Sequence, residues 1–341
     1  MKVRYVFWAS VLFTAITLFV GCKSSSEPTP LFDGSDYLEV SSPIEYDAQD
    51  FETIPNNPFF DLKVPTYITK YKDYYFIVDC YNNQVIYNEN LEDPLCEWSV
   101  MTSDINMGHT IASDGEVYLI DDTENHRILV MEESSNSNGD TIFVPTQEFN
   151  NIGTRPHYIV YDEATTTFYV WSSMTGQMYL MRHIPGEHTM YLTDVLTVEG
   201  LNGYYVRSFT IDGDDIYFVS GNGSIIRAAK STLKVEESYP LPIELAGMVQ
   251  VTKIEDYWYI TISTDGHGNQ DAATMIRTKK FEDLAAGKYE DVYFNFIGGG
   301  TPYCITKIDE DYYLCEHRIP GHSIWRFDVT NNEITNVETI Y

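Results

Sequence analysis

The sequence predicts an all-β fold, a six-bladed β-propeller of four-stranded antiparallel blades around a central channel. Three observations lead there. Short segments alternate aromatic and β-branched residues with polar ones, and turns rich in Gly, Asn and Asp separate them. Tyr is unusually frequent, at 27 residues. Most telling, one unit recurs six times: an apolar strand, an acidic or Gly-containing turn, and a second strand dominated by Tyr and Ile.

In chain order the copies are Thr66–Asp79, His109–Asp122, His157–Asp162 (closing with Phe168–Trp171), Arg207–Val219, Val249–Ile260 and Tyr303–Leu314. Their starts are 43, 48, 50, 42 and 54 residues apart. Propeller repeats of one blade each run about 40–50 residues. A third strand follows each pair, as in Gln84–Tyr87, Arg127–Val130, Gln177–Leu180 and Ser323–Phe327, and a more variable fourth completes the blade. A lone blade cannot bury both faces, so the six must stack around an axis. Either Tyr37–Val40 or the stretch up to Phe60 is expected to add a strand that closes the ring against the last blade. Ser134–Gly139 reads as a solvated excursion, and Phe281–Gly287 as one helical turn ended by Gly287.

The N-terminus carries a different signal. Lys2 and Arg4 precede a nearly uncharged run, Tyr5–Val20, which reads as a signal peptide over residues 1–21. The run is too short to span a bilayer, which takes about 20 apolar residues. Its end, Leu18-Phe19-Val20-Gly21-Cys22, resembles a bacterial lipobox, with Phe19 in place of the usual aliphatic residue. That resemblance implies lipidation of Cys22 and anchoring of the exported protein to a cell-envelope membrane, facing the periplasm or the cell surface. Residues 22–36 are Ser- and Pro-rich and read as a flexible tether, leaving residues 37–341 for one propeller domain.

The formal net charge is −30, and the two basic residues of the leader leave the rest more acidic still. Such a field repels nucleic acid and anionic headgroups, and admits an anionic ligand only where a local basic site or bound cation offsets it. Beyond Cys22 there are four cysteines, Cys80, Cys96, Cys304 and Cys315. Cys304 and Cys315 flank a hairpin turn at Asp309-Glu310 and are placed opposite each other, so a disulfide between them is expected, against two free buried thiols as the alternative.

One stretch resembles a known family. Asp122-Thr-Glu-Asn125-His-Arg127-Ile128 is similar to the NHL-type propeller repeat, in which Asp and Asn shape the turn between the second and third strands and the basic residue starts the third. A weaker copy stands at Asp79-Cys-Tyr-Asn82-Asn-Gln84. The other four blades keep the strands without this turn. The whole resembles bacterial lipoproteins built as six-bladed, NHL-like propellers.

In a propeller the first residues of the innermost strands gather at the channel mouth. The repeat-equivalent set is Thr66, His109, His157, Arg207, Val249 and Tyr303, with Gln250 competing with Val249 because the alignment slips by one there. As chemistry, His109 and His157 could hold a divalent metal such as zinc or calcium, Arg207 could bind a carboxylate or oxyanion, and Tyr303 could exchange a proton. The structural alternative is a hydrated channel whose polar residues satisfy one another. The resemblance implies a sharper version, since some six-bladed NHL-type lyases set three channel histidines on a metal with Arg and Tyr nearby. Here only two histidines are repeat-equivalent, and no acidic residue joins the set as a lactonase-type metal site would need.

Other motifs read as structure. Asp265-Gly-His-Gly-Asn-Gln-Asp271 superficially looks like a calcium loop but lacks the downstream Glu, so a hairpin loop is expected. His317–His322 is a polar connection that could rim one face. No phosphate-cradling Gly motif, G-x-S-x-G elbow or C-x-x-C pair is present. The resulting expectation is a monomeric, non-catalytic propeller that binds a small molecule, a glycan or a protein at the channel mouth. The rival is a metal-dependent lyase or hydrolase with its site in the central channel.

Overall fold

The computed structural model describes residues 31–341; the stretch read as a signal peptide, Cys22 and the expected tether up to residue 30 lie outside them. Twenty-four strands form six four-stranded antiparallel sheets, each built from strands consecutive in sequence. Blade 1 is β1 (Pro65–Tyr71) to β4 (Ser99–Thr102), and blade 2 is β5 (Ile111–Ser113) to β8 (Thr141–Asn150). Blade 3 runs from β9 (Pro156–Asp162) to β12 (Met190–Thr197), and blade 4 from β13 (Val206–Asp212) to β16 (Val235–Pro240). Blade 5 spans β17 (Gly247–Ile254) to β20 (Glu290–Asp291), and blade 6 spans β21 (Thr301–Ile308) to β24 (Glu333–Thr339). The expected helical turn at Phe281–Ala286 is present and ends at Gly287 with φ 71°, a conformation glycine adopts without steric cost.

The six-fold core explains the alternation of the strands. Apolar residues from facing blades form one buried cluster at every junction. Blades 1 and 2 meet around Phe76, Tyr118 and Phe143, and blades 2 and 3 around Leu119, Phe149 and Phe168. Phe209, Trp171 and Phe218 fill the next junction, Val251, Trp258 and Phe281 the fourth, and Tyr259, Phe296 and Phe327 the fifth. Ile68, Ile77, Trp98, Ile308 and Cys315 join blade 6 back to blade 1.

The ring therefore closes differently from the expectation. Residues 37–60 add no strand to blade 6, whose four strands all come from Thr301–Thr339. The segment instead wraps the outer edges of three other blades: Leu38 donates to the Leu192 carbonyl, Ile44 to Thr146, and Val100 donates to Pro55. Among the described residues, the Phe32 ring also packs on Tyr191 of blade 3. Closure rests on side chains, with Trp98 Nε1 donating to the Tyr341 hydroxyl (2.9 Å), which lies 2.7 Å from the Asp93 carbonyl oxygen. Among the described residues no helix is long and apolar enough to cross a membrane.

The innermost strand of each blade is a sheet edge with unpaired backbone groups facing the axis, and such groups need partners. Side chains of the preceding blade supply them. Thr66 Oγ1 donates to the His109 carbonyl (2.9 Å), His157 Nδ1 to Arg207 (2.8 Å), Ser208 Oγ to Val249 (2.6 Å) and Thr261 Oγ1 to Tyr303 (2.6 Å). Much of the polar character at the start of the repeats is thus inter-blade bonding.

The Asp-Asn turns also do structural work. Asp122 accepts from Asn125 (2.9 Å), Arg127 Nε (2.6 Å) and the Asn106 amide (2.7 Å), and Asp79 accepts from Asn82 (2.6 Å) and the Lys63 and Val64 amides. In the loop after β18 (Tyr257–Thr264), Asp265 Oδ1 accepts from the His267 and Asn269 amides, so the calcium-like stretch spends its carboxylate on a turn.

Candidate functional site at the channel mouth

The repeat-equivalent residues converge, and a backbone irregularity explains how. At the start of the inner strands the pairing register slips, between Pro65 and Tyr67, Val206 and Phe209, Met248 and Gln250, and Pro302 and Cys304. In blade 3 the pairing jumps from Tyr158 to Pro156. The residue left over is Thr66, Arg207 (with Ser208), Val249, Tyr303 or His157. A bulge re-aims its residue out of the pleat, and here it opens the ladder beside the axis.

The same bulge resolves the ambiguity in blade 5. Val249 is the bulged residue, whereas Gln250 pairs with Thr261. The Gln250 amide is spent on partners within the protein. Its Oε1 accepts from the Ile305 amide (2.7 Å), and its Nε2 shares two protons among the Ile305 carbonyl (3.1 Å), the Tyr158 hydroxyl (3.1 Å) and Cys304 Sγ (3.0 Å). With Tyr158, Ser208 and Cys304 it fills the axis beneath the bulged residues, where only about 10 Å³ of void remains. That is the lower bound for one water. The channel is plugged, and its solvated part is a cavity of about 190 Å³ above the plug.

The disulfide expectation fails in the same layer. Cys304 and Cys315 do face each other in register, yet all four propeller cysteines are free. Cys304 sulfur lies against Gln250 and Tyr158, while Cys315 packs among Ile68, Ile77 and Ile324 on the blade 6–1 junction, so the thiols serve different environments.

His109 and His157 stack with ring centroids 3.7 Å apart and planes inclined by 26°. Thr123 Oγ1 lies 2.7 Å from both Asp121 Oδ2 and the Pro156 carbonyl oxygen and donates to one of them, so His109 Nδ1, 3.0 Å away, is the donor in their contact. His109 Nε2 then faces Cys80 Sγ at 3.7 Å. His157 donates its Nδ1 proton to Arg207, leaving Nε2 buried without a partner. Burial, then the charges of Arg155 and Arg207, lowers the His109 pKa to about 3; burial, His109 and Arg207 hold His157 well below the ordinary imidazole range. Both rings are neutral at neutral pH. Burial likewise raises the Tyr303 and Tyr205 phenols, keeping them protonated, and raises the Cys80 thiol out of nucleophilic range.

This arrangement fits a metal poorly. Lone pairs lie in the ring planes, and stacked imidazoles send them out side by side rather than to one point. Among the described residues no group of three His, Cys, Asp or Glu side chains is placed to share an ion.

The charged element of the mouth is a pair of arginines. Arg155 and Arg207 lie 5.2 Å and 5.0 Å from the centroid of the Tyr205 ring. Arg155 is paired with Glu124 (2.8 Å). Arg207 donates to the Met248 carbonyl (3.1 Å) and, among the described residues, meets no carboxylate within ion-pair distance. It borders the 190 Å³ cavity together with Tyr81, Tyr303 and His317. The Thr66 hydroxyl, also on this wall, is spent on the His109 carbonyl.

Sequence reasoning missed Arg155 and Tyr205, yet the signal was there. Both stand two residues before a bulged position, and the equivalents Val64, Met107 and Thr301 line the same cavity. Tyr81 comes from the turn after the second strand of blade 1, where no repeat position marks it, and His317, first residue of the connection expected to rim one face, ends the second strand of blade 6.

No protein-family model matches the chain, and no curated protein matches it either. Solved structures of similar shape include a putative 6-phosphogluconolactonase from Bacteroides fragilis, with TM-score 0.57 and 13% identity over 81% of this chain and 84% of that one. A streptogramin B lyase aligns with TM-score 0.52 and 16% identity over 83% and 85% of the two chains. A catalytically inactive variant of virginiamycin B lyase from Staphylococcus aureus, with quinupristin, gives 0.52 and 17% over 84% and 88%. At such identities the likeness is one of fold.

Proposed function

We propose that this chain is an exported, lipid-anchored propeller of the NHL-like type that binds a small anionic molecule at its channel mouth without turning it over. The observation that carries the reading is Arg207, a guanidinium bordering a cavity with no carboxylate partner in a chain of net charge −30. In such a surplus of acid an arginine left without a carboxylate is available to a ligand, and its planar fork matches a carboxylate. The neutral His109 imidazole and the protonated Tyr205 and Tyr303 phenols that line the cavity with it add polar surface without competing charge. The lipobox resemblance supports the anchor and the export.

Thermal unfolding in the presence of acetate, benzoate and glucuronate, each beside its neutral amide or alcohol, tests this. At least one acid should raise the midpoint of the wild type more than its neutral counterpart does, and Arg207→Gln should remove the difference; equal shifts in both proteins would refute the reading.

A second reading has one observation in its favour. His157 Nε2 is a buried acceptor without a partner, on a ring stacked against His109 at the cavity wall, and a lyase or hydrolase would use such an acceptor to hold a proton of a bound acid. Two of the structures of similar shape are lyases, which makes that class the natural alternative. It requires turnover that His157→Gln abolishes while Arg207-dependent binding persists.

A further inference from the structure

The mouth cavity does not end at its own rim. Consecutive residues line it and a second cavity of about 570 Å³ over the blade 6–1 junction: Val64 and His317 face the first, Lys63 and Arg318 the second. The floor and walls of the second include Phe60, Ile319 and Tyr341. Phe60 is 80% exposed, an unusual position for a large aromatic side chain that packs on little else.

Exposed aromatic residues are unevenly distributed over the molecule. Among the described residues Tyr37 and Tyr46 lie on the N-terminal wrap; the others, Phe59 and Phe60 at the end of that segment and Tyr81, Tyr204 and Phe294, lie in loops on the mouth face. Loops of the opposite face are tipped instead by polar pairs such as Lys72-Asp73, Glu255-Asp256 and Asp309-Glu310. An exposed apolar surface of this kind, rimmed by polar residues, marks a binding surface.

The charges of the two compartments differ. The mouth offers Arg207 without a carboxylate partner. On the shelf, Arg318 is paired with Asp271 (3.2 Å), and Lys63 stands beside Asp61 in sequence, so the shelf is close to charge-neutral. A cavity of about 190 Å³ is below the roughly 300–1,000 Å³ usual for a complete small-molecule site, whereas the shelf lies within that range. The acidity of the whole chain disfavours a ligand with repeated negative charge.

From this geometry we infer that the ligand is an oligosaccharide ending in a single acidic sugar: its carboxylate sits on Arg207 in the mouth, and its neutral rings extend across the Phe60 shelf. The inference rests on the anion-binding reading of the mouth and adds the shelf, the length of the ligand and its class. Flat aromatic faces such as Phe60 and Tyr81 suit the apolar faces of sugar rings.

Calorimetric titration of the wild type, Phe60→Ala and Arg207→Gln tests it with four probes: methyl glucuronide, a xylotriose capped by one glucuronic acid, the same oligosaccharide with its carboxyl reduced, and a tetrapeptide with one C-terminal carboxylate. The capped oligosaccharide should bind the wild type at least about tenfold more tightly than methyl glucuronide. Phe60→Ala, at an exposed position that leaves folding intact, should erase that gain and leave methyl glucuronide unchanged. Carboxyl reduction and Arg207→Gln should each weaken the capped oligosaccharide at least about tenfold. If methyl glucuronide binds through Arg207 but the capped oligosaccharide binds no better, the shelf inference fails and the mouth reading stands. A Phe60-dependent gain for the peptide alone overturns the ligand class. If no probe binds in an Arg207-dependent way, both readings fail together.

Discussion

Replacing Gln250 by Leu removes the amide that joins three blades at the axis while nearly preserving side-chain volume. The Ile305 amide and carbonyl, both inward-facing groups of an edge strand, lose their partners, and the Tyr158 hydroxyl loses a donor. A buried backbone group left unsatisfied costs about 1–3 kcal/mol. Two such groups, offset by the apolar gain of Leu, give a destabilisation of about 3 kcal/mol. At about 2 °C per kcal/mol for a domain of this size, the midpoint of thermal unfolding should fall by about 6 °C. Urea unfolding of the wild type and Gln250→Leu, followed by Trp fluorescence, measures the free energy directly. A loss below about 1 kcal/mol would show that the amide is not the latch described here, and would return Gln250 to the set of possible ligand groups.

Further expectations follow from other parts of the fold. Arg127 binds Asp122, Glu148 and Asp104, so Arg127→Met strands the buried Asp122 carboxylate and should cost about 3 kcal/mol in the same urea assay, whereas Arg326→Met, whose partners Glu92 and Glu338 are exposed carboxylates, should cost less than about 1 kcal/mol. The buried His183–Asp114 pair ties blade 3 to blade 2; burial opposes both charges, but the hydrogen bond of the pair, its mutual attraction and nearby backbone hydrogen bonds together outweigh it, raising the His183 pKa above its ordinary 6.5 and lowering that of Asp114 below 3.8. His183 therefore contributes stability that is full below 6.5 and lost as pH rises through its raised value, and Asp114 contributes stability above 3.8 that is lost as pH falls through its lowered value. Midpoints measured from pH 3 to 9 should show the wild type's advantage over His183→Gln greatest between those limits; a pH-independent difference would contradict the pairing. Finally, a thiol reagent should label Cys96 alone in the native propeller, and all four of Cys80, Cys96, Cys304 and Cys315 in unreduced denaturant; two missing labels would reveal the bridge the structure lacks.

The architecture was legible because propeller physics writes itself into the sequence at every repeat. Each junction needs apolar residues from two blades, so the alternation at Tyr118–Ile120, Phe168–Val170 and Phe209–Ile211 recurs at blade spacing. The mouth was legible for the same reason, since His109, His157, Arg207 and Tyr303 share one repeat position. Local bulges were not: the slip at Val249–Gln250 moves one side chain from the mouth to the plug, and only the strand register reveals it. Ring closure was also hidden, because nothing in Tyr37–Val40 distinguishes a partner in blade 6 from the edge of blade 3. Facing positions for Cys304 and Cys315 followed from the hairpin, but the free thiols follow from tertiary partners such as Gln250 and Tyr158, far away in sequence. Neither the pairing of Arg155 with Glu124 nor the freedom of Arg207 from carboxylates is written in the spacing.

Arg207 is the core of the proposed anion site, and calorimetric titration of glucuronate into the wild type and Arg207→Gln at neutral pH and low salt tests that site most directly. Loss of a charge-assisted hydrogen bond to a carboxylate is worth about 1.5–3 kcal/mol, so the variant should bind at least about tenfold more weakly while unfolding at the wild-type temperature. Equal affinity in the two proteins, or no binding by either, would contradict the anion site at the channel mouth.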